Sequence, residues 1–276
     1  MRKAIKMPPN ADRPFIVTKE HRRFSEFADA VRKYRYIGLC YGPAGVGKTL
    51  SARQYANWDL GEHLLSTWGP RDPSDAEVYK ALAQSRTAFH TPNVNESLRE
   101  ANANISLLIS RVGICIIQAE EDQGVSGIGQ ELVELLIIDE SERLTPKALE
   151  YVRDLFDRTN IGVILIGMPG MEKTISRYPQ LYSRVGFAHN YRPLHGDELS
   201  FVLANHWQHL GLNLDFADFT DSQAVASIAR ITGGNFRLLH RLFVQIERIL
   251  KINDLRVITD DVVEAARSTL VIGGAI

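Results

Sequence analysis

The strongest chemical signal in the sequence is GPAGVGKT, residues Gly42 to Thr49, which fits the spacing G-x-x-x-x-G-K-[ST]. Each residue type in that spacing answers a need of phosphate binding. Gly42, Gly45 and Gly47 let the backbone curl until several N–H groups point inward at phosphate oxygens, with Pro43, Ala44 and Val46 completing the loop. A helix opening at Lys48, Thr49 and Leu50 would add its positive amino end. Lys48 would reach the β- and γ-phosphates as a point charge, and the Thr49 hydroxyl would ligate Mg²⁺.

A second pair of chemical groups ends the apolar run ELLIIDE, residues 134–140. A parallel sheet presents polar residues at the carboxyl ends of its strands, where ligands bind. Asp139 would hold Mg²⁺ through water, and Glu140 would act as general base on an attacking water. The second carboxylate favours hydrolysis of ATP over a simple nucleotide switch. The expected cofactors are therefore ATP and Mg²⁺.

The surrounding sequence supplies elements able to position these groups. A helix is expected over 18–34, a strand over 36–42, and a helix from Lys48 to about Asn57. Residues 66–75 read as a turn-rich loop, 76–84 as a short helix and 86–92 as a strand. Asn93 or Asn95 is expected to cap a helix running to about 111, while VGICIIQA (112–119) fits either a helix or a strand. A glycine-punctuated loop follows at 122–130. Thr145 and Pro146 open a helix to 158, and IGVILIGMPG (161–170) is a buried strand with a glycine-rich exit. This alternation predicts an α/β fold with a parallel sheet flanked by helices. After Pro193 only helices are expected, over 197–209, 221–232, 235–251 and 259–270. The expected division is a flexible basic arm at 1–14, a nucleotide-binding core at 15–194 and a helical lid at 195–276.

Composition bounds the function. With 276 residues, 45% hydrophobic and 24% charged, the chain has the make-up of an ordinary globular protein. No uninterrupted apolar run reaches the roughly 18 residues of a membrane span. The start lacks a secretory signal, and Cys40 and Cys115 sit in apolar stretches, so a reduced, cytoplasmic protein is expected. The formal net charge of −1 hides a gradient. Residues 1–60 carry twelve Lys/Arg and five Asp/Glu, whereas 116–160 carry four and eleven. Such asymmetry is compatible with a polyanion partner.

The order GPAGVGKT, IIDESERL, ILIGMPG and then a helical tail containing GGNFR resembles the AAA+ ATPases, P-loop NTPases with a helical lid, over roughly residues 15–270. Within them IIDESERL resembles the IIDEADRL of the ATPases that partner DNA transposases, the group of Mu B, TniB and TnsC. That resemblance implies a protein that assembles on double-stranded DNA in its ATP state, with little sequence preference, as a homo-oligomeric hexameric ring or helical filament. It also implies recruitment or activation of a transposase at the target. A replicative helicase loader, or a nucleotide switch acting on protein partners without DNA, are the alternatives.

The resemblance also gives roles to arginines. YPQLYSRVGF (178–187) occupies the place from which an arginine reaches a neighbouring subunit's γ-phosphate, which points to Arg184, with Arg177 as runner-up. Arg237 of GGNFR corresponds to a lid arginine that contacts the nucleotide. One position departs from the family: Met168 stands where a polar residue usually helps to position water, and its thioether donates no hydrogen bond. Either another residue serves in its place, or hydrolysis is slow; slow turnover, stimulated by assembly or DNA, would suit a protein that persists as an ATP-bound assembly. The DNA-facing surface would be built from Arg71, Lys80, Thr91, Asn93, Asn95, Arg99 and Arg111, types suited to phosphate and sugar contacts.

Overall fold

The computed structural model describes residues 15–70, 72–120 and 129–270. The expected arm at 1–14, Arg71 and most of the 122–130 loop lie outside the described residues. Five strands form one sheet in the order β2-β3-β4-β1-β5. They are β1 (Ile37–Tyr41), β2 (Thr87–His90), β3 (Leu135–Ile138), β4 (Gly162–Gly167) and β5 (Val185–Asn190). Every pairing is parallel, so all five carboxyl ends lie along one edge. β3 and β4 are buried along their whole length, as runs of Leu, Ile and Val between two helical layers must be.

Around the sheet run α1 (Lys19–Tyr34), α2 (Lys48–Tyr55), α3 (Trp58–Thr67), α4 (Ala76–Ser85), α5 (Leu98–Glu120) and α6 (Pro146–Arg158), with the short α7 (Met171–Ile175) and α8 (Pro179–Tyr182). Thr18 caps α1 by accepting from His21 N–H, and Thr145 caps α6 by accepting from Ala148 N–H.

Several expectations are corrected. The cap of α5 is Ser97, in place of Asn93 or Asn95: its hydroxyl accepts from Glu100 N–H while the Glu100 carboxylate accepts from Ser97 N–H, a reciprocal capping box. VGICIIQA continues α5, because Ile105, Ile109, Val112 and Ile116 recur at helical spacing on its buried face. Gly113 belongs in that helix for a tertiary reason: a Cβ there would lie 2.0 Å from the Gly129 carbonyl oxygen. α5 is, among the described residues, the one helix long and apolar enough to cross a membrane, and its apolar face packs into the core of the sheet domain. Sequence reading also missed α3 and β5. β5 is an edge strand whose residues are by turns half-buried and exposed, so it lacks the apolar run that marks the central strands.

Apolar burial divides into two clusters. One surrounds the sheet and runs in sequence to Tyr191. The other starts at Leu194 and lies among α9 (Gly196–His209), α10 (Phe219–Thr232), α11 (Phe236–Ile252) and α12 (Asp260–Ser268).

Beyond β2 and β3 the chain stays paired. Asp139 N–H donates to the His90 carbonyl, and Glu96 forms an isolated parallel bridge with Leu144. The Glu96 carboxylate is fully buried and satisfied by His90 Nε2 at 3.0 Å and Asn104 Nδ2 at 2.8 Å. Glu96→Ala would strand both partners, so a loss of about 2–3 kcal/mol is expected. Urea unfolding measures it, and a loss below about 0.5 kcal/mol, the level of an ordinary surface change, would refute this anchor role.

Candidate active site

The carboxyl end of β1 runs straight into the phosphate loop. Gly45 (φ +78°) and Gly47 (φ +114°) take left-handed backbone that only glycine adopts without strain. Gly42 is needed for a different reason: a Cβ would sit 2.2 Å from the Tyr191 carbonyl oxygen. Tyr191 backs the loop further through its hydroxyl, 2.8 Å from Ser51 Oγ. Gly47 then precedes α2, whose first turn holds Lys48 and Thr49.

Lys48 is buried and donates to the carbonyls of Gly42 (2.6 Å) and Pro43 (2.8 Å). Burial pulls its pKa down, while Cys40, Asp139, Glu142 and Glu140 push it back up. Thr49 Oγ1 donates to Asp139 Oδ2 at 2.7 Å. Burial raises the Asp139 pKa, against the hydrogen bonds from Thr49 and from Glu140 N–H. Two hard oxygen donors thus lie side by side, a set that would suit Mg²⁺ held by the Thr49 hydroxyl and by Asp139 through water. Among the described residues no cluster of three or more His, Cys, Asp or Glu could hold a metal. These two oxygens therefore fit a cation whose other ligands are water and phosphate oxygens, as Mg²⁺ prefers.

Glu140 follows in left-handed backbone (φ +52°), its side chain half-exposed and 3.7 Å from Arg143 Nη2. Arg143 links this turn to the loop after β2. Its Nη1 donates to the Pro92 carbonyl at 3.3 Å, and its own carbonyl accepts from Glu96 N–H at 3.2 Å. Glu142 also belongs to the site. A Cβ on Gly167, the last residue of β4, would lie 2.8 Å from the Glu142 carboxylate, and burial raises the pKa of that carboxylate. The pattern IIDESERL contains both residues, yet sequence reading stopped at its first two acids. Met168 beyond β4 is 42% exposed.

The lid reaches the loop from the other side. Asn235 caps α11, and Arg237 N–H donates to the Gly45 carbonyl at 2.9 Å, which brings exposed Arg237 to the loop's edge. Arg184 lies elsewhere. Its carbonyl accepts from Ile37 N–H at the amino end of β1, across the sheet from the phosphate loop. Its guanidinium grips Asp157 in a two-pronged pair, Nε to Oδ1 at 2.5 Å and Nη2 to Oδ2 at 2.7 Å. Arg184 is thus remote from this chain's own phosphate loop and engaged by Asp157. Arg177 is exposed.

The proposed DNA contacts divide in the same way. Thr91, Asn93, Asn95 and Arg99 are exposed on the loop after β2 and the first turn of α5, around Val94, which is 77% exposed. Ser97, Leu98 and Arg99 form a shallow groove with Thr145, Pro146 and Lys147 at the start of α6. Lys147 was not among the sequence candidates and belongs with this surface. Lys80 is paired with Glu77 at 3.2 Å. Arg111 donates to the Leu65 carbonyl and lies over the Trp68 ring, contacts that account for it within the fold.

Comparison with known proteins agrees with this geometry. The protein-family model described as AAA domain matches residues 31–175. The chain is 43% identical over 269 residues to a potential ATP-binding protein of Staphylococcus aureus, covering 94% of this chain and 97% of that one. It is 25% identical over 252 residues to the Mu-like prophage FluMu DNA transposition protein B of Haemophilus influenzae, covering 88% and 76%. It is 28% identical over 156 residues to the ATP-dependent target DNA activator B of Escherichia phage Mu, covering 54% and 42%. Among solved structures, the Thermotoga maritima RuvB Holliday junction branch migration motor superposes with a TM-score of 0.55 at 17% identity, covering 91% of this chain and 68% of that one.

Proposed function

The chain belongs to the AAA domain family, and from that membership we propose that it is an ATPase that assembles on duplex DNA and recruits or activates a transposase. The observation that carries the hydrolytic half is the convergence at the carboxyl ends of β1 and β3: Lys48, the Thr49–Asp139 pair at 2.7 Å, and Glu140 one residue on. The phosphate-loop amides and Lys48 bind the β- and γ-phosphates of ATP. Thr49 and Asp139 hold Mg²⁺, which when bound neutralises charge growing on the phosphates. Glu140 takes the proton of the attacking water. Arg237 contacts the nucleotide from the lid. Arg184 exchanges Asp157 for the γ-phosphate of the neighbouring subunit, so hydrolysis depends on assembly as a ring or filament.

The DNA half is supported by the relatives named for transposition and by the exposed Thr91, Asn93, Asn95 and Arg99 in the segment 91–99. That segment lies beside Lys147 and is tied through Arg143 to the turn that carries Glu140. Contacts of this kind go to the phosphate backbone, so binding is sequence-tolerant and salt-sensitive. A mobility shift on duplex DNA, with and without a nonhydrolysable ATP analogue, tests it. An ATP-dependent shift at low salt is expected. Loss of both Arg99 and Lys147 to alanine is expected to lower the salt slope by about 2 and to weaken binding to all sequences alike. Absence of any nucleotide-dependent shift at low salt would remove the DNA reading and leave the ATPase reading standing.

A further inference from the structure

We propose that Asn235 is a positioning residue of the nucleotide site: its side-chain amide latches the lid to the phosphate loop and so sets how fast nucleotide leaves. The proposal rests on the reading of Gly42–Thr49 as a nucleotide site.

The two ends of this amide do separate work. Oδ1 accepts from Arg237 N–H (3.1 Å) and Leu238 N–H (3.2 Å), which caps α11. Nδ2 donates to the Ala44 carbonyl at 2.7 Å, across 191 residues of sequence. The partners fix the orientation, because backbone N–H groups need an acceptor and the carbonyl needs a donor. Capping alone would be served equally well by aspartate or serine. Asparagine places its acceptor and its donor on two separate atoms, so Oδ1 caps the helix while Nδ2 reaches the Ala44 carbonyl; a serine hydroxyl has both functions on one oxygen and cannot span the two sites.

The contact joins the two apolar clusters. α11 supplies Leu239, Leu242, Phe243, Ile246 and Leu250 to the lid cluster, so whatever holds its amino end holds the lid. The phosphate loop has no slack at this point either, since a Cβ on Gly45 would lie 2.6 Å from Asn235 Oδ1 and 2.9 Å from Arg237 Cβ. On the lid side, Gly234 is pressed on the segment joining the two clusters: its carbonyl accepts from Leu194 N–H at 2.9 Å, and a Cβ on it would lie 1.8 Å from the Leu194 carbonyl oxygen. The latch therefore sits beside the segment where the chain passes from one cluster to the other. Binding the carbonyls of Ala44 and Gly45 from outside holds the peptide units of the loop in one orientation, a preorganised cradle for phosphate. It also places Arg237 two residues away. Lid opening must break the Asn235–Ala44 bond, so that bond retards release of nucleotide.

The test is dissociation of N-methylanthraniloyl-ADP from the full chain, chased with excess ADP in a stopped-flow instrument. Asn235→Asp keeps the cap and turns a donor to Ala44 into a repelling carboxylate. Release at least about fivefold faster than wild type is expected, with a cooperative thermal transition showing that the nucleotide-free variant is folded. Asn235→Ser, a second capping residue without the amide, is expected to speed release in the same direction and serves if the aspartate variant folds poorly. Wild-type release from a folded Asp or Ser variant would overturn the latch. Failure of the wild-type chain to bind the labelled ADP would instead overturn the nucleotide reading itself.

Discussion

Lys48→Ala is expected to weaken ATP binding by about 100-fold or more. The ammonium is buried at the head of α2 and aimed into the loop, where it donates to two backbone carbonyls 2.6 and 2.8 Å away. Phosphate oxygens carry full negative charge and outcompete neutral carbonyls for those N–H groups. Two charge-assisted bonds at roughly 1.5–3 kcal/mol each amount to a hundredfold in affinity at the low end. The groups that act on the Lys48 ammonium are Cys40, Asp139, Glu142 and Glu140, none of which supplies a positive charge in its place. Titration calorimetry with ATP and Mg²⁺ measures it, with thermal unfolding to show that the variant is folded. Affinity within threefold of wild type would mean that the loop does not bind the phosphates as described.

Much of this site is legible in the sequence because it is local. Six consecutive backbone units of the phosphate loop and the two acids after β3 are fixed by short-range geometry, and their spacing survives any rearrangement elsewhere. The central strands are legible because burial on both faces demands uninterrupted Val, Ile and Leu. What escaped reading depends on contacts between distant segments. VGICIIQA has the same apolar content in a helix or a buried strand, and what decides it is the continuation of the buried face of α5 through Val112 and Ile116, with Gly113 packed against Gly129. Three residues before α5 have capping chemistry, and Ser97 prevails because only it stands three residues before Glu100. The motif GGNFR pointed to Arg237, whereas the hydrogen bond to Ala44 belongs to its neighbour Asn235. Arg184 is singled out by the resemblance of YPQLYSRVGF to the family, but its grip on Asp157 requires the fold to bring the end of α6 beside it.

Glu140→Gln is expected to slow hydrolysis by about 100-fold or more while sparing ATP binding. Glutamine has nearly the same shape, so it fits the half-exposed position beside Arg143 and keeps the backbone N–H bond to Asp139 Oδ1 at 3.0 Å. Losing the ion pair with Arg143 costs little, because pairs open to solvent contribute at most about 1 kcal/mol. What changes is basicity: a neutral amide cannot accept the proton of the attacking water, and general-base contributions run to roughly 100-fold or more. The phosphate contacts of Lys48 and the Thr49–Asp139 oxygens are untouched, so ATP still binds and the ATP-bound population rises. If that population is the one that assembles on DNA, the variant's complexes should outlast those of wild type in a mobility-shift chase with competitor duplex. Single-turnover phosphate release reads the chemical step directly. Release at the wild-type rate would exclude Glu140 as the base and turn attention to Glu142, the other carboxylate placed beside the end of β4. Slow release together with short-lived DNA complexes would separate hydrolysis from assembly, and the DNA-dependent half of the mechanism would fall while the catalytic half stood.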